Sequence, residues 1–181
     1  MQRVLSAYPN VIVIDNKHEL NWPGFTVTKN VGQALGQKHS IVRLGGTATR
    51  PTNIMAELDE LFKRVYQMGG WHIYIDEIYT IGRGNVSSFP QSYITLLTRG
   101  RSRHITVWTG TQRPRFLPLF AFTESTHFFI LEVSSSDDRK HIAKMAGVDG
   151  LDTPVYNHDF LYYNRRTKAL AKSRLSEDDL L

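Results

Sequence analysis

The chain has 181 residues, a net charge of +5 and no cysteine, which excludes disulfides and thiolate metal sites and suits one domain able to bury a core. Hydrophobic residues make up 41% and charged residues 22%, as in ordinary globular proteins; with no basic, apolar leader and no run of ~20 apolar residues, neither a signal peptide nor a membrane span is expected. The pI near 9.5 allows a polyanionic partner without requiring one.

Met1 to Tyr8 reads as the tail of a helix, closed by Pro9-Asn10. Val11 to Ile14 is a β-branched run and hence a strand, ending on the polar cluster Asp15-Asn16-Lys17-His18-Glu19. Residues 21 to 40 suggest a short strand and a surface helix, and His39 to Leu44 a further strand before the loose Gly45 to Pro51. From Asn53 the period turns helical: Ile54, Leu58, Leu61, Phe62 and Val65 form one apolar stripe, with Thr52 or Asn53 as cap and Gly69-Gly70 as stop.

Trp71 to Ile75 then reads as a buried parallel strand ending abruptly on Asp76-Glu77. Open α/β sheets place their ligands at that end of a strand. In nucleoside-triphosphatase chemistry the first of two such acids holds the Mg²⁺ shell and the second takes a proton from, or orients, the attacking water. The plain alternative is a strand that ends in a polar turn.

A glycine-containing loop, Ile81 to Ser87, follows, and Ser88-Phe89-Pro90-Gln91 has capping-box spacing with Pro in the first turn. That helix runs to about Thr98, and Gly100 stops it. Ile105 to Thr109 is a strand leading into Gly110-Thr111-Gln112-Arg113-Pro114, and Leu117 to Phe122 is a helical turn. His127 to Val133 is a Phe- and Ile-rich strand; Ser134-Ser135-Ser136 caps a helix through Ala146, which Gly147 ends. Asp159 to Tyr163 and Lys168 to Leu175 form a hairpin turning at Asn164 to Thr167, and residues 176–181 are an acidic tail. Strands alternating with helices indicate an α/β layered fold with a mostly parallel sheet.

Asp15 to Glu19, Asp76-Glu77 and Thr111-Gln112 would then converge on one rim. Gln112 there could contact a γ-phosphate or position water; taken singly it is equally a strand-terminating turn. Arg99, Arg101 and Arg103 crowd one loop. They are a solvated basic turn, arginine fingers offered to a neighbouring subunit's nucleotide, or nucleic-acid phosphate contacts. The seven histidines show no ligand spacing. Trp22, Trp71 and Trp108 are expected to pack, and Arg165, Arg166, Lys168, Lys172 and Arg174 give the hairpin a basic edge that deters strand pairing.

The order of these motifs, a strand into Asp-x-x-x-Glu, a strand into Asp76-Glu77, a helix into Thr98-Arg-Gly-Arg and a strand into Thr-Gln-Arg-Pro, resembles the HerA/FtsK branch of P-loop ATPases. These are ring-forming DNA motors that include viral genome-packaging ATPases. The resemblance spans residues 4 to 175. It implies a RecA/ASCE-like layered fold with a C-terminal β-hairpin, in a single domain over residues 1–175.

It further implies Mg²⁺ and ATP as cofactors, with Asp76 as the Walker B acid holding the metal through water, Glu77 as catalytic base and Gln112 as sensor. Asp15 and Glu19 would lie at the nucleotide, and Arg101, or else Arg99 or Arg103, would act across a subunit boundary. Arg83, Ser87 and Arg50 would face DNA in the pore of a homo-oligomeric ring, a hexamer, gripping the backbone without sequence preference. The implied setting is cytoplasmic or virion-associated. The expected function is a packaging-type DNA translocase; a non-hydrolysing binding or scaffolding subunit is the alternative.

One departure stands against the pattern. The Gly-x-x-x-x-Gly-Lys-Ser/Thr loop of the Walker A motif is absent from the sequence, and neither Gly45-Gly46-Thr47 nor Gly82-Arg83-Gly84 has its spacing or lysine. The family's first strand, between those matching Ile105 to Thr109 and His127 to Val133, is missing with it. The expectation is an N-terminally shortened form, inactive alone, which reading the upstream coding frame would test.

Overall fold

The computed structural model describes residues 1–44, 54–81 and 89–176. Contacts gather into two compact units, Met1–Thr111 and Gln112–Leu181.

In the first unit, α1 (Gln2–Ser6), β1 (Val11–Ile14), β2 (Thr26–Thr28), α2 (Val31–Leu35), β3 (His39–Val42), α3 (Ile54–Met68), β4 (His72–Ile75), α4 (Gln91–Arg99) and β5 (Thr106–Thr109) follow in order. All strand pairs are parallel, in the order β2-β3-β1-β4-β5. Val11 to Ile14 are wholly buried because β1 lies mid-sheet with both faces covered, which is why the run is apolar without alternation. Each such side chain contributes on the order of 1.5–3 kcal/mol by leaving water.

Val11 and Val13 join Leu5 and Ile41 on one face, against Tyr8, Trp22, Phe25, Tyr74 and Trp108. Their neighbours Ile12 and Ile14 sit in register with Ile73 and Ile75 on the other face. There Tyr93 of α4 reaches Thr109, which pairs with Ile75, through its hydroxyl at 3.4 Å, and packs on Phe62 of α3 with ring centroids 6.0 Å apart. Burial pushes the Tyr93 phenol up to about 12. The expected stripe on α3 is the buried one: Leu58, Leu61, Phe62 and Val65.

The second unit holds α5 (Leu119–Thr123), β6 (His127–Ile130), α6 (Ser136–Ala146), β7 (Asp159–Asn164) and β8 (Ala169–Arg174), with an antiparallel sheet in the order β6-β7-β8. Its core joins Phe122, Phe128, Ile130, Ile142, Leu151, Leu161 and Tyr163. Arg165 holds it together by donating to the carbonyls of Ser125, Phe122 and Ala146 while its guanidinium lies 5.5 Å from the Phe128 ring centre. Lys172 and Arg174 both pair with Asp159. Both stay exposed on the edge strand β8, where the hairpin's basic edge was expected.

The mostly parallel sheet and C-terminal hairpin agree with the expected α/β fold. Among the described residues β5 and β6 each have one paired neighbour. Several boundaries differ. β6 stops at Ile130 rather than Val133. α4 begins at Gln91 with Pro90 as its N-cap, so the proline precedes the first turn. Ser135 caps α6 as expected, accepting from the Asp138 amide, and Gly147 ends it at φ 67°. Thr52, Asn53 and Ser88, expected as caps, lie outside the described residues.

Candidate active site

Because β1 and β4 are adjacent and parallel, the segments leaving their carboxyl ends must meet. Asp76 is held there by its amide, which donates to the Ile14 carbonyl at 3.1 Å, and by the Asn16 side chain, which donates to the Asp76 carbonyl at 2.8 Å. The Tyr74 hydroxyl donates to Asp76 Oδ1 at 2.9 Å. Burial raises the Asp76 carboxyl above its usual range; Tyr74 and Lys17 oppose the rise, and Glu77 and Asp15 add to it. Burial, with Asp76 beside it, likewise raises the Tyr74 phenol. A half-buried carboxylate whose charge is poorly compensated gains from a nearby cation, so Asp76 is the residue with the chemistry to take one.

Glu77 takes the left-handed conformation, φ 47° and ψ 55°. Such a backbone costs a non-glycine residue on the order of 1–2 kcal/mol and persists where its surroundings over-determine it. Here they do: the Ile78 amide donates to the Gly110 carbonyl at 3.0 Å, and the Thr80 amide and hydroxyl both donate to the Glu77 carbonyl, at 2.9 and 2.8 Å. The residue is only 4% exposed, and Lys17 Nζ donates to its Oε1 at 3.0 Å. The Lys17 ammonium is raised by that hydrogen bond.

Gly110 closes the rim from β5. A Cβ there would stand 2.9 Å from the Tyr74 hydroxyl oxygen and 3.6 Å from Asp76 Oδ1, so the residue must be small for the tyrosine to reach the acid.

The loop after β1 is itself pinned. Asp15 is fully buried and accepts from the amides of Glu19 and Leu20 and from Arg43 Nε at 3.0 Å. Arg43 also donates to the Leu20 carbonyl, and His18 Nε2 lies 3.2 Å from the Leu44 carbonyl. The carboxylate of Asp15 is thus occupied in shaping the loop, while Glu19 is exposed.

Gln112 is exposed, three residues past the end of β5, and opens the second unit. The three arginines separate. Arg103 donates through Nε to the Tyr66 carbonyl at 3.2 Å and through Nη2 to the Gln67 carbonyl, capping the last turn of α3. Its own carbonyl accepts from the Gly70 amide at 2.8 Å. Arg99 and Arg101 are exposed and line an open concavity with Tyr66, Thr98 and Ser102. Arg50, Arg83 and Ser87 lie outside the described residues.

Sequence reasoning missed Lys17, Asn16 and Tyr74. The first two sat in a polar cluster in which only the acids were given a role, and Tyr74 looked like one more apolar strand residue. Their signal was positional: adjacency of β1 and β4 makes the residues after Ile14 neighbours of those after Ile75.

No family model matches the chain. Over 94 residues it is 33% identical to the DNA packaging ATPase P9 of Enterobacteria phage PRD1, a match covering 52% of this chain and only 39% of that relative's length. Among solved structures it is similar to the genome packaging NTPase B204 of Sulfolobus turreted icosahedral virus 2 in complex with sulfate, with a TM-score of 0.77, 14% identity and coverage of 97% of this chain and 87% of that one. The AMPPCP complex of the same protein gives 0.75 at 15% identity, covering 97% and 88%. The B204 DNA-packaging ATPase of Sulfolobus turreted icosahedral virus gives 0.72 at 15%, covering 96% and 86%. The resemblance carried by the motifs is borne out: in sequence and fold the chain is similar to viral packaging ATPases of the HerA/FtsK type.

Proposed function

We propose that this chain is the motor subunit of a viral genome-packaging ATPase, coupling hydrolysis of a nucleoside triphosphate to the movement of DNA. The observation that carries the reading is the acidic pair at the carboxyl end of an interior parallel strand, Asp76 on a phenol and Glu77 on an over-determined left-handed turn. It is supported by the likeness to packaging ATPases, two of them from different viruses and one bound to a nucleotide analogue.

In this reading Asp76 would hold a Mg²⁺ ion, by way of water. That suits a metal which keeps several waters and needs few carboxylates, and no cluster of three or more potential ligands exists among the described residues. The metal would offset negative charge on the phosphates. Glu77 accepts the proton of the attacking water, and Gln112 orients that water. Arg101 or Arg99, left exposed at the α4 turn, stabilises transferred charge in the next subunit's site, while Arg103 anchors the turn to α3. Asp15 shapes the loop that Glu19 borders. Both units act as one ATPase-like domain over residues 1–175, in a homo-oligomeric ring such as a hexamer. DNA backbone is gripped through Arg50, Arg83 and Ser87, with strong salt dependence. The protein works in the cytoplasm or on the virion; no described helix is long and apolar enough to cross a membrane.

The reading also requires a phosphate-holding loop, and no Gly-x-x-x-x-Gly-Lys-Ser/Thr occurs in the sequence. The test compares this chain with a version carrying the coding sequence before Met1, each with and without Glu77→Gln. Saturable Mg-ATP binding, with turnover lowered at least ~100-fold by Glu77→Gln while binding persists, is expected. DNA binding indifferent to nucleotide, with no turnover in either version, would replace it with a non-hydrolysing DNA-binding subunit.

A further inference from the structure

The sheet β6-β7-β8 has one face in the core of the second unit and one turned to solvent. Side chains alternate across a strand, so Phe128, Ile130, Leu161 and Tyr163 enter that core and their neighbours point away from it. Those neighbours are His127, Phe129, Phe160 and Tyr162, four rings on two paired strands. The Phe129 ring centre lies 5.0 Å from that of Tyr162 and 6.2 Å from that of Phe160. His127 Nδ1 and the Tyr162 hydroxyl are hydrogen-bonded at 2.8 Å, with the two rings tilted by 9° and their centres 5.9 Å apart. An imidazole nitrogen bonds in the plane of its ring and a phenol oxygen lies in the plane of its own, so this pair forms nearly one flat tile.

Cross-strand pairing explains why the rings touch, but not why they are left in water: Phe129 is 49% exposed. The third strand covers none of them. It sets Ala171 opposite Tyr162 and Ser173 opposite Phe160, so small side chains leave the rings standing clear beside a shallow floor. No outward position on the three strands is acidic. Asp159 is on the core-facing side, engaged by Lys172 and Arg174. Asn164, in register with His127, opens the turn into β8 and accepts from the Arg166 amide at 2.9 Å. That turn sets the exposed Arg166 and Lys168 at the His127 end of the tile.

We propose that this face binds single-stranded nucleic acid, its rings stacking on successive bases while Arg166 and Lys168 meet the phosphates beside them. The match is chemical on both counts. Exposed aromatic rings suit the π faces of bases whatever their sequence, and positive charge with no acid on the face suits the backbone. A duplex keeps its bases stacked on one another and has none to offer these rings. The site lies wholly within the second unit and does not depend on Asp76 or Glu77.

The test is fluorescence anisotropy on the full chain with labelled strands of ~12 nucleotides, deoxy and ribo versions of one sequence, beside a duplex of equal length. Tyr162→Ala and Phe129→Leu should each weaken single-strand binding roughly 5-fold to 150-fold, the loss of one stacked base, and leave duplex binding unchanged. Leucine keeps apolar area and removes the π face; Phe129→Trp restores that face and should bind as the natural chain does. Arg166→Gln with Lys168→Gln should lower the slope of log affinity against log salt by about 1.4, as two phosphate contacts require. The tighter of the deoxy and ribo strands identifies DNA or RNA as the source of the bases. All these side chains are on the surface, and circular dichroism checks that each variant is folded. Single-strand affinity that is unchanged in both Tyr162→Ala and Phe129→Leu overturns the site. Self-association of the chain that Phe129→Glu abolishes, with no single-strand binding, overturns it too and gives the face to a second copy. Neither result touches the acidic pair, whose failure would show in nucleotide turnover.

Discussion

Gly110→Ala is the substitution through which the geometry of the rim is most directly tested. The glycine does not use a left-handed backbone, so alanine is conformationally allowed and stabilises by about 0.5 kcal/mol through the unfolded chain. Its backbone cannot shift, because its amide donates to Ile75 at 2.9 Å and its carbonyl accepts from Ile78 at 3.0 Å. The new methyl would stand 2.9 Å from the Tyr74 hydroxyl oxygen, so the ring must move. That forfeits the bond to Asp76, worth about 1.5 kcal/mol at the low end for a charged acceptor only half-buried, and strains a packed aromatic by about 1 kcal/mol. A net loss of about 2 kcal/mol is expected. Tyr74→Phe alone loses the same bond, about 1–1.5 kcal/mol. The double substitution has no hydroxyl to collide with, so it should be no less stable than Tyr74→Phe. The assay is urea unfolding followed by tryptophan fluorescence, since Trp22 stacks on Tyr74 with ring centroids 5.8 Å apart. A double-mutant cycle then reads a coupling of about 2 kcal/mol. Additive penalties would refute the claim that Gly110 is small for the sake of the Tyr74–Asp76 contact.

The carboxyl titrations should diverge. Asp76, raised chiefly by burial, releases its proton above the ordinary value of 3.8, and Asp159, lowered by its Arg174 and Lys172 hydrogen bonds, releases it below, as followed by carboxyl ¹³C shifts. Asp76 therefore adds stability at pH below 3.8 that is lost as pH rises through its folded value, whereas Asp159 adds stability above 3.8 that is lost as pH falls through its folded value. Gly69→Ala should cost about 2 kcal/mol or more in urea, because φ there is +69° and the added Cβ would meet the Arg103 carbonyl oxygen at 2.8 Å. Arg103→Ala should cost about 1 kcal/mol in the same assay by uncapping α3, whereas Arg101→Ala should stay within about 0.5 kcal/mol.

Much of this arrangement was legible in the sequence, and the rest had physical reasons to be hidden. The β-branched run Val11–Ile14 and the stripe Leu58-Leu61-Phe62-Val65 announced a doubly covered strand and a helix on it, because burial dictates residue type directly. The place of Asp76-Glu77 was legible too, because an apolar run that stops on two acids marks where a strand leaves the core. Hydrogen-bond partners distant in sequence carry no local pattern, which is why Lys17 and Tyr74 escaped notice. The backbone partners of Arg165 and Arg103 were hidden for the same cause. An arginine spent on helix-end carbonyls looks, in sequence, like one left in solvent.

The left-handed turn at Glu77 gives the site its asymmetry. Along an extended strand successive side chains point to opposite faces, and Asp76 follows the rule: it shares the Tyr74 side and accepts from that phenol. Continuing the strand would leave Glu77 on the face of Ile73 and Ile75, among apolar groups. The turn breaks the alternation and brings its carboxylate instead to a lysine from the loop after β1. Two neighbouring acids thereby enter unlike surroundings, Asp76 accepting from the Tyr74 phenol and Glu77 from the Lys17 ammonium. Divergent environments are what allow two chemically similar groups to take different parts in one reaction. The backbone strain at Glu77 is thus tied to the separation of the two carboxylates, and the parallel neighbour strand that leads into Asn16 and Lys17 helps to shape it.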